Sequence, residues 1–502
     1  MTKPIVINRK PLNQSIGREG MSRSLFLSIL CAGFFLNIAV ANAGGTQAID
    51  TRPNILFILL DDLGKEWVSA YGAEEIKTPN IDKLAETGIK FQNVWSNPQC
   101  TPSRVALMTG QYPFRNGWVN HWDTPRWGDG YFDWRLNPSM AGILKNSGYA
   151  TVAAGKWQIN DFRLEPNVMQ KHGFDDYAMW TGYEAGNPAS AERYWDPYIH
   201  TQQGSKTYKG QFGEDIFSDF IIDFVAEHKD QPWFAYYPMN LPHTPLTTTP
   251  LEPEVRGEYE QHKAMVRYAD FILAKMLRAL EELGERENTI VVWTTDNGTA
   301  QSLAGMLNGR KVNGGKTRTT ENGINAPFIV NAPGLTPAGV ITDALVDFTD
   351  LLPTFAELAG AQLPINFKFD GSSFAGLVLG DSDDSKRQSI LAMGGKNEAG
   401  RSAQGVENAY VYRDRVIRDK RYKLFVQSSP ERGYEKLVDL ATDPEEKVNL
   451  LESNNSQIVA AKNALQRVAE SLPQKDNDPK YNKRAANPWD VPVSVESQVW
   501  KQ

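Results

Sequence analysis

Asn54-Ile55-Leu56-Phe57-Ile58-Leu59-Leu60-Asp61-Asp62 is a continuous apolar run that ends in two carboxylates. An apolar run of this length without polar alternation marks a strand buried on both faces, as in a parallel sheet covered by helices. Four more short apolar segments follow, at 151–154, 233–237, 289–294 and 326–330. Gly155-Lys156-Trp157-Gln158 follows the first, Leu241-Pro242-His243-Thr244-Pro245 the second and Asp296-Asn297-Gly298 the third, while Gly314-Gly315-Lys316 precedes the last. Between them, 259–283 places Met265, Tyr268, Ile272, Leu273, Met276 and Leu280 at helical spacing and stops at Gly284. Thr78-Pro79-Asn80 opens an earlier helix, with Thr78 as N-cap and Pro79 at the first position. The expected fold is α/β, a large mixed, mostly parallel sheet between helices. Strand ends in such a sheet converge on one edge, where ligand sites collect. Asp61, Asp62, Asp296 and Asn297 are therefore expected to meet there.

A second stretch, Cys100-Thr101-Pro102-Ser103-Arg104, holds one of only two cysteines; the other is Cys31. A lone cysteine is commonly a small buried thiol. Here Pro102 suits a helix's first turn, and 105–109 continues as a short helix ending at Gly110. That puts Cys100 just before a helix N-terminus and beside the Arg104 cation, a setting that favours an anion.

These residues carry a resemblance. Cys-x-Pro-Ser-Arg, followed by Leu107-Met108-Thr109-Gly110-Gln111-Tyr112-Pro113, resembles the signature of the type I sulfatases in the alkaline-phosphatase-like superfamily. The resemblance runs from about Asn54 to about Leu451, where Asp443-Pro444-Glu445-Glu446 and Asn449-Leu450 are similar to the end of that family's C-terminal part. It implies the alkaline-phosphatase-like sulfatase fold, with a smaller C-terminal subdomain built on an antiparallel sheet. It also implies that Cys100 is oxidised to Cα-formylglycine, whose hydrated aldehyde is the nucleophile. Asp61, Asp62, Asp296 and Asn297, with the modified Cys100, would hold a divalent metal, Ca²⁺ or alternatively Mg²⁺. Hard oxygen donors suit those ions better than zinc. Lys156 and Lys316 stand where the family keeps sulfate-binding lysines, His243 where it keeps a leaving-group histidine, and Arg104 beside the nucleophile. Each residue alone also reads blandly, the lysines as solvated charges and Asp296-Asn297-Gly298 as a turn. One position departs from the pattern: Gln158 stands where the family commonly has histidine, and an amide cannot accept a proton as a base.

Aromatic residues crowd the region after Cys100, among them Trp118, Trp122, Trp127, Trp134, Trp180 and Trp195. Some belong to the core. Together with Gln158, His121, Trp122, Arg126 and Arg193, with Glu192 and His200 nearby, they also suit loops that stack a sugar ring and bond its hydroxyls.

A chain of 502 residues with net charge −7 has room for one large α/β domain and a smaller partner, and it lacks the basic surface that nucleic acid or a broad polyanion coat would need. Arg18 and Arg23, the apolar run 25–40 and Ala41-Asn42-Ala43 read as a secretory signal, with Met21 as an alternative start. The run nears membrane-spanning length, but the small residues at the cleavage site favour removal over a stable anchor. The expected division is a signal peptide at 1–43, a catalytic domain at 50–365, a C-terminal subdomain at 366–470 and a tail at 471–502. Strands are expected at 421–425 and 436–440, and the tail carries no functional signal. The expected protein is secreted to the periplasm and matured by a formylglycine-generating enzyme. The resemblance implies that it removes sulfate from a carbohydrate, with action from the end of a sulfated galactose or N-acetylgalactosamine oligosaccharide as the expectation. The alternatives are a phosphodiesterase or phosphonate monoester hydrolase on the same fold, and an inactive glycan-binding protein.

A thiol cannot expel sulfate as an aldehyde hydrate does. Cys100→Ala is therefore expected to abolish turnover, and protein made without the maturation enzyme to fold yet stay nearly inactive; full activity with an unmodified thiol, verified by peptide mass, contradicts this chemistry.

Overall fold

The computed structural model describes residues 52–119, 131–394, 399–402, 405–408, 412–427, 433–482, 487 and 489. At its centre lies β1 (Asn54–Leu60), every residue of which is buried. Ile55, Phe57 and Leu59 join one apolar cluster while Leu56, Ile58 and Leu60 join another. The alternation of strand side chains thus feeds two cores, one on each face of the sheet.

The strands that follow are β2 (Ile89–Trp95), β3 (Ala150–Lys156), β4 (Asp176–Trp180), β5 (Tyr198–Thr201) and β6 (Gly204–Thr207). Next come β7 (Trp233–Pro238), β8 (Thr289–Thr295), a hairpin of β9 (Ala304–Leu307) and β10 (Arg310–Asn313), then β11 (Phe328–Asn331) and β12 (Val340–Asp347). Ten of these form one sheet in the order β12-β2-β11-β8-β1-β7-β3-β4-β5-β6. Only β11 and β5 oppose the common direction. The mixed, mostly parallel sheet is therefore present. The segment expected at 326–330 runs against its neighbours, so its beginning, not its end, lies at the edge shared with the ends of β1 and β8. That reversal lets Lys316, which precedes it, reach the same edge.

The long helix spans Glu258–Leu283 and ends at Gly284 in the left-handed conformation (φ 75°), as the Gly stop requires. The earlier helix, Pro79–Glu86, begins after Thr78, but the Thr78 side chain does not cap it. Thr78 Oγ1 instead accepts from Ser69 N at 3.1 Å and reaches Asp82 Oδ1 at 3.2 Å. The long helix supplies the cap: Asp270 Oδ1 accepts from Asn80 N at 3.0 Å and Ile81 N at 2.8 Å. A tertiary contact has replaced the local one.

Beyond the sheet, β13 (Ile390–Met393), β16 (Arg415–Arg418), β17 (Tyr422–Val426) and β18 (Tyr434–Asp439) form a four-stranded antiparallel sheet beside the helix Ser456–Ser471. A small hairpin of β14 (Ala399–Ser402) and β15 (Gly405–Asn408) stands apart. Glu321, five residues past Lys316, is clamped by Lys423 Nζ at 3.1 Å and Arg418 Nη1 at 2.9 Å. The C-terminal sheet thereby braces the Lys316 loop. The tail after Ser471 returns over the large unit. Asp476 forms a fully buried ion pair with Arg415 at 2.5 Å, Asn482 N donates to Asp133 Oδ2 at 3.0 Å, and Trp489 Nε1 donates to Asp161 Oδ2 at 3.2 Å. Its polar composition hid this role. Among the described residues, no helix is long and apolar enough to cross a membrane.

Asp270→Ala strips two backbone donors of their acceptor. It is expected to lower unfolding stability by about 1–2 kcal/mol in urea melts, with Asp270→Asn milder because it keeps one acceptor oxygen; an unchanged midpoint contradicts the capping role.

Candidate active site

Register brings the polar residues together. Leu60 pairs with Thr295 and Leu59 with Pro238, so the chain leaving β1 emerges between the ends of β8 and β7. Asp296 N donates to Leu60 O at 3.0 Å and Asp61 N to Leu241 O at 2.9 Å, fixing Asp61 and Asp296 as neighbours. Asp62 turns away in the left-handed region (φ 67°), which aspartate tolerates.

Cys100 is the first residue of the helix Cys100–Thr109, not the residue before it, and all ten residues are buried. Ser103 Oγ accepts from Asn97 N and donates to Asn97 O, both at 2.9 Å, closing the loop that delivers Cys100 to the sheet edge. Gly110, at φ 64°, ends the helix. The Cys100 thiol donates to Asp61 Oδ1 at 3.3 Å. Burial, then the charges of Asp296 and Asp61, push the thiol well above its ordinary pKa. Arg104 shares this field, its charge acting on the Cys100 sulfur, while its hydrogen bonds go to Asp296 and the Lys156 carbonyl. Its Nε and Nη2 hold Asp296 Oδ2 at 3.0 and 2.7 Å, and Nη1 donates to Lys156 O at 3.1 Å.

Three buried acids thus meet three cations. Lys156 Nζ lies 2.5 Å from Asp61 Oδ2, Lys316 Nζ 2.6 Å from Asp62 Oδ2, and Arg104 on Asp296. Burial alone would raise Asp61, but Lys156, Arg104 and Lys316 hold it well below the usual carboxylate range. Asp62 is lowered as well, Lys316 overcoming its burial. Asp296, buried and repelled by Asp61, rises to about 6 despite Arg104.

His243 Nδ1 lies 2.6 Å from Thr244 O, which requires the ring proton on Nδ1. Nε2 is then the acceptor for Lys316 Nζ at 3.0 Å. Burial and the Lys316 ammonium push His243 down to about 3, leaving the ring neutral. The site opens on this side: the His243 and Lys316 side chains keep 16% and 18% of their surface exposed, against 1% for Lys156.

One ligand atom each from Asp61, Asp62, Cys100 and His243 lies within 4.8 Å of the others. Asp296 stands outside that quartet, tied to Arg104, though its Oδ1 accepts from Asp62 N at 3.3 Å. Asn297 Nδ2 donates to Asp62 Oδ1 at 2.7 Å, whereas its buried Oδ1 has no hydrogen-bond partner among the described residues. An orphaned oxygen acceptor beside three buried carboxylates is a donor set that a hard divalent cation fits.

Gln158 is buried two residues past Lys156, in the left-handed region (φ 68°). Arg193 lies against His243, its Nη1 3.3 Å from Nδ1. His121, Trp122, Arg126 and Trp127 lie outside the described residues. Of the remaining aromatic candidates, Trp118 is wholly buried, Trp180 is 3% exposed and donates to Ser190 O at 2.9 Å, and His200 stacks on Phe162 at 4.4 Å. These three are core, not sugar-stacking surface.

Several supports had no signal in sequence. Thr317, β-branched yet at φ 73°, sets the Lys316 backbone, with its N donating to Pro98 O at 2.7 Å. Gly298 and Gly315 let that loop close on Asn322, where an added Cβ would meet backbone at 1.9 and 2.4 Å. Tyr194 Oη reaches Asn240 O at 2.6 Å and His243 O at 2.5 Å, pinning the histidine loop.

A family model described as Sulfatase matches residues 53–361. The chain belongs to the sulfatase family. A second model, described as N-sulphoglucosamine sulphohydrolase, C-terminal, matches residues 315–472. The N-acetylgalactosamine-6-sulfatase of Canis lupus familiaris is 31% identical over 375 residues, covering 69% of this chain and 70% of that protein. Arylsulfatase A of Bos taurus is 29% identical over 476 residues, 83% of this chain and 86% of that one. The crystal structure of Ps i-CgsB with k-i-k-neocarrahexaose superposes with a TM-score of 0.69 at 25% identity, covering 90% of this chain and 97% of that chain. This sulfatase is accordingly a sulfuric ester hydrolase, built on the mixed sheet described above.

Removing one cation from a buried pair strands its partner. Lys156→Met is expected to cost roughly 3–5 kcal/mol of unfolding stability in chelator, with excess Ca²⁺ restoring part of it. Urea melts with and without the ion check this, and an indifferent midpoint contradicts the pairing.

Proposed function

We propose that this sulfatase removes sulfate from a carbohydrate and that residue 100 acts in its Cα-formylglycine form. The observation that carries the reading is the Cys100 thiol, buried, protonated and hydrogen-bonded to Asp61 at the edge where three acids and three cations meet. Such a thiol is a poor nucleophile. The oxidised residue, once formed and hydrated, supplies an oxygen nucleophile from the same position. Asp61, Asp62, Asp296 and Asn297 would hold the divalent cation, Ca²⁺ with Mg²⁺ as alternative, which withdraws charge from the sulfate oxygens.

Every other part of the reaction falls to side chains of this chain. Lys156 and Lys316 neutralise sulfate oxygens as charge redistributes, in a site dry enough to make that effect large. Arg104 orients the start of the nucleophile helix by gripping Asp296 and the Lys156 carbonyl. The departing oxygen takes its proton through the Lys316–His243 pair, whose 3.0 Å contact already has the ammonium donating to Nε2. Gln158 orients by hydrogen bonding and moves no proton.

The named relatives support a sulfated sugar, with a galactose or N-acetylgalactosamine sulfate as the preferred class. Attack from a chain end suits a site whose reacting residue is fully buried and which, among the described residues, opens on the His243 and Lys316 side. His121, Trp122, Arg126 and Arg193 are assigned to the substrate wall. Export to the periplasm after removal of 1–43, and maturation by a formylglycine-generating enzyme, complete the reading, with 50–365 as the catalytic domain and 366–470 as its C-terminal subdomain.

The test is sulfate release by mature enzyme on a matched aryl sulfate and aryl phosphonate, before and after chelation. Faster turnover of the sulfate, lost in chelator and restored by Ca²⁺, is expected. Preference for the phosphonate, or undiminished activity in verified metal-free protein, contradicts the reading.

A further inference from the structure

The three acids at the site are each matched by a cation: Asp61 by Lys156, Asp62 by Lys316 and Asp296 by Arg104. Arg193 is a fourth cation at the same opening, and among the described residues it makes no ion pair. Its side-chain polar contact is with an imidazole, not an acid. His243 Nδ1 lies 3.3 Å from Nη1, but that nitrogen directs its own hydrogen to Thr244 O at 2.6 Å, while Nε2 accepts from Lys316. With the ring proton on Nδ1, the Arg193–His243 contact gives the guanidinium no carboxylate and no charge partner. Arg193 Nε is buried and also lacks an acceptor among the described residues.

The guanidinium is nonetheless held firmly. Its carbon sits 3.8 Å over the ring of Trp180, which is buried and anchored to Ser190 O. The adjacent Tyr194 is tied through its hydroxyl to the His243 loop and through its carbonyl to Gly213 N at 2.7 Å. A side chain at 213 would strike Arg193 O, the added Cβ falling 2.2 Å away, so glycine is needed to seat this strand of chain. A planar, pre-oriented fork of donors with no acid partner, stacked on an indole, is suited to two oxygens of one anion.

We propose that Arg193 binds a second anionic group, a carboxylate or a further sulfate, on the sugar that carries the ester being cleaved. Resting on the sulfatase reading above, this makes the preferred substrate a sugar with two negative groups. The sulfate under attack lies among Lys156, Lys316 and residue 100, and Arg193 stands beyond His243 on the leaving-group side. The second anion therefore belongs to the leaving sugar, not to the transferred group.

The experiment compares three saccharides with the mature enzyme: a monosulfated neutral sugar, the same sugar with a second sulfate, and a sulfated uronic acid. The wild type is expected to favour one doubly charged sugar over the neutral one by about 10- to 100-fold in kcat/KM, mostly through KM. Which sugar is favoured distinguishes a second sulfate from a carboxylate. In Arg193→Met that ratio should fall to about one, and Arg193→Lys, which keeps charge and stem without the fork, should retain part of it. No wild-type preference, or a mutant that loses turnover equally on all three sugars, overturns the assignment of Arg193 while leaving the sulfatase reading standing. Turnover of none of the three sugars, nor of an aryl sulfate, by mature wild type overturns both.

Discussion

Neutralisation among six clustered charges, five of them buried and Lys316 half-buried, is the constraint on which the rest of this structure depends. Asp61, Asp62 and Asp296 are at most 2% exposed, and a carboxylate taken that far from water is costly unless paired. Lys156, Lys316 and Arg104 provide the pairing, at 2.5, 2.6 and 2.7 Å. Each partner comes from a different part of the chain, so the pairs fix the relative positions of β1, the Cys100 helix, β3, the end of β8 and the Lys316 loop. Burial, helped by Asp296 and Asp61, raises the thiol of Cys100 and silences it, and burial, helped by Lys316, keeps the His243 ring neutral. Stability and chemistry therefore share one set of side chains.

Irregular backbone gathers where the charges must be aimed. Asp62, Gln158 and Thr317 are non-glycine residues at positive φ, and each lies at or beside a charged site residue. Such conformations persist only where surrounding contacts over-determine them. Around Lys316 those contacts are the Pro98 carbonyl, the close approach of Gly298 and Gly315 to Asn322, and Glu321 gripped by the C-terminal sheet. The smaller sheet is thus part of the apparatus that positions the lysine paired with Asp62, and the returning tail fastens the loops around Asp133 and Asp161 in the same manner.

The parts of this fold legible in sequence were those governed by local pattern. The apolar run at 54–60 and the amphipathic stretch at 259–283 correspond closely to β1 and the long helix, because burial on two faces or on one stripe writes a direct signature. The reversed direction of β11 was not legible, since an apolar strand reads the same either way. Nor was the Asp270 cap, 192 residues from Thr78 in sequence and adjacent only in space. Within the site, the acids, lysines and histidine named from strand ends and from the family resemblance lie together at one sheet edge. Arg104 lies beside the nucleophile helix as its motif position suggests, but that the guanidinium grips Asp296, 192 residues on, is a tertiary contact that the motif does not write. Trp118, Trp180 and His200 misled for the opposite reason: composition shows aromatic density but not which rings the core takes.

The central claim is that these paired acids form one oxygen site for a hard cation beside an oxidised residue 100. The most direct measurement is an anomalous-difference map from crystals of mature enzyme grown with Ca²⁺. The account predicts a single peak bounded by oxygens of Asp61, Asp62, Asp296 and Asn297 at about 2.3–2.6 Å, next to residue 100 in its aldehyde or hydrated form. A map without a peak there, or with the ion seated elsewhere while residue 100 remains a thiol in active enzyme, would contradict it.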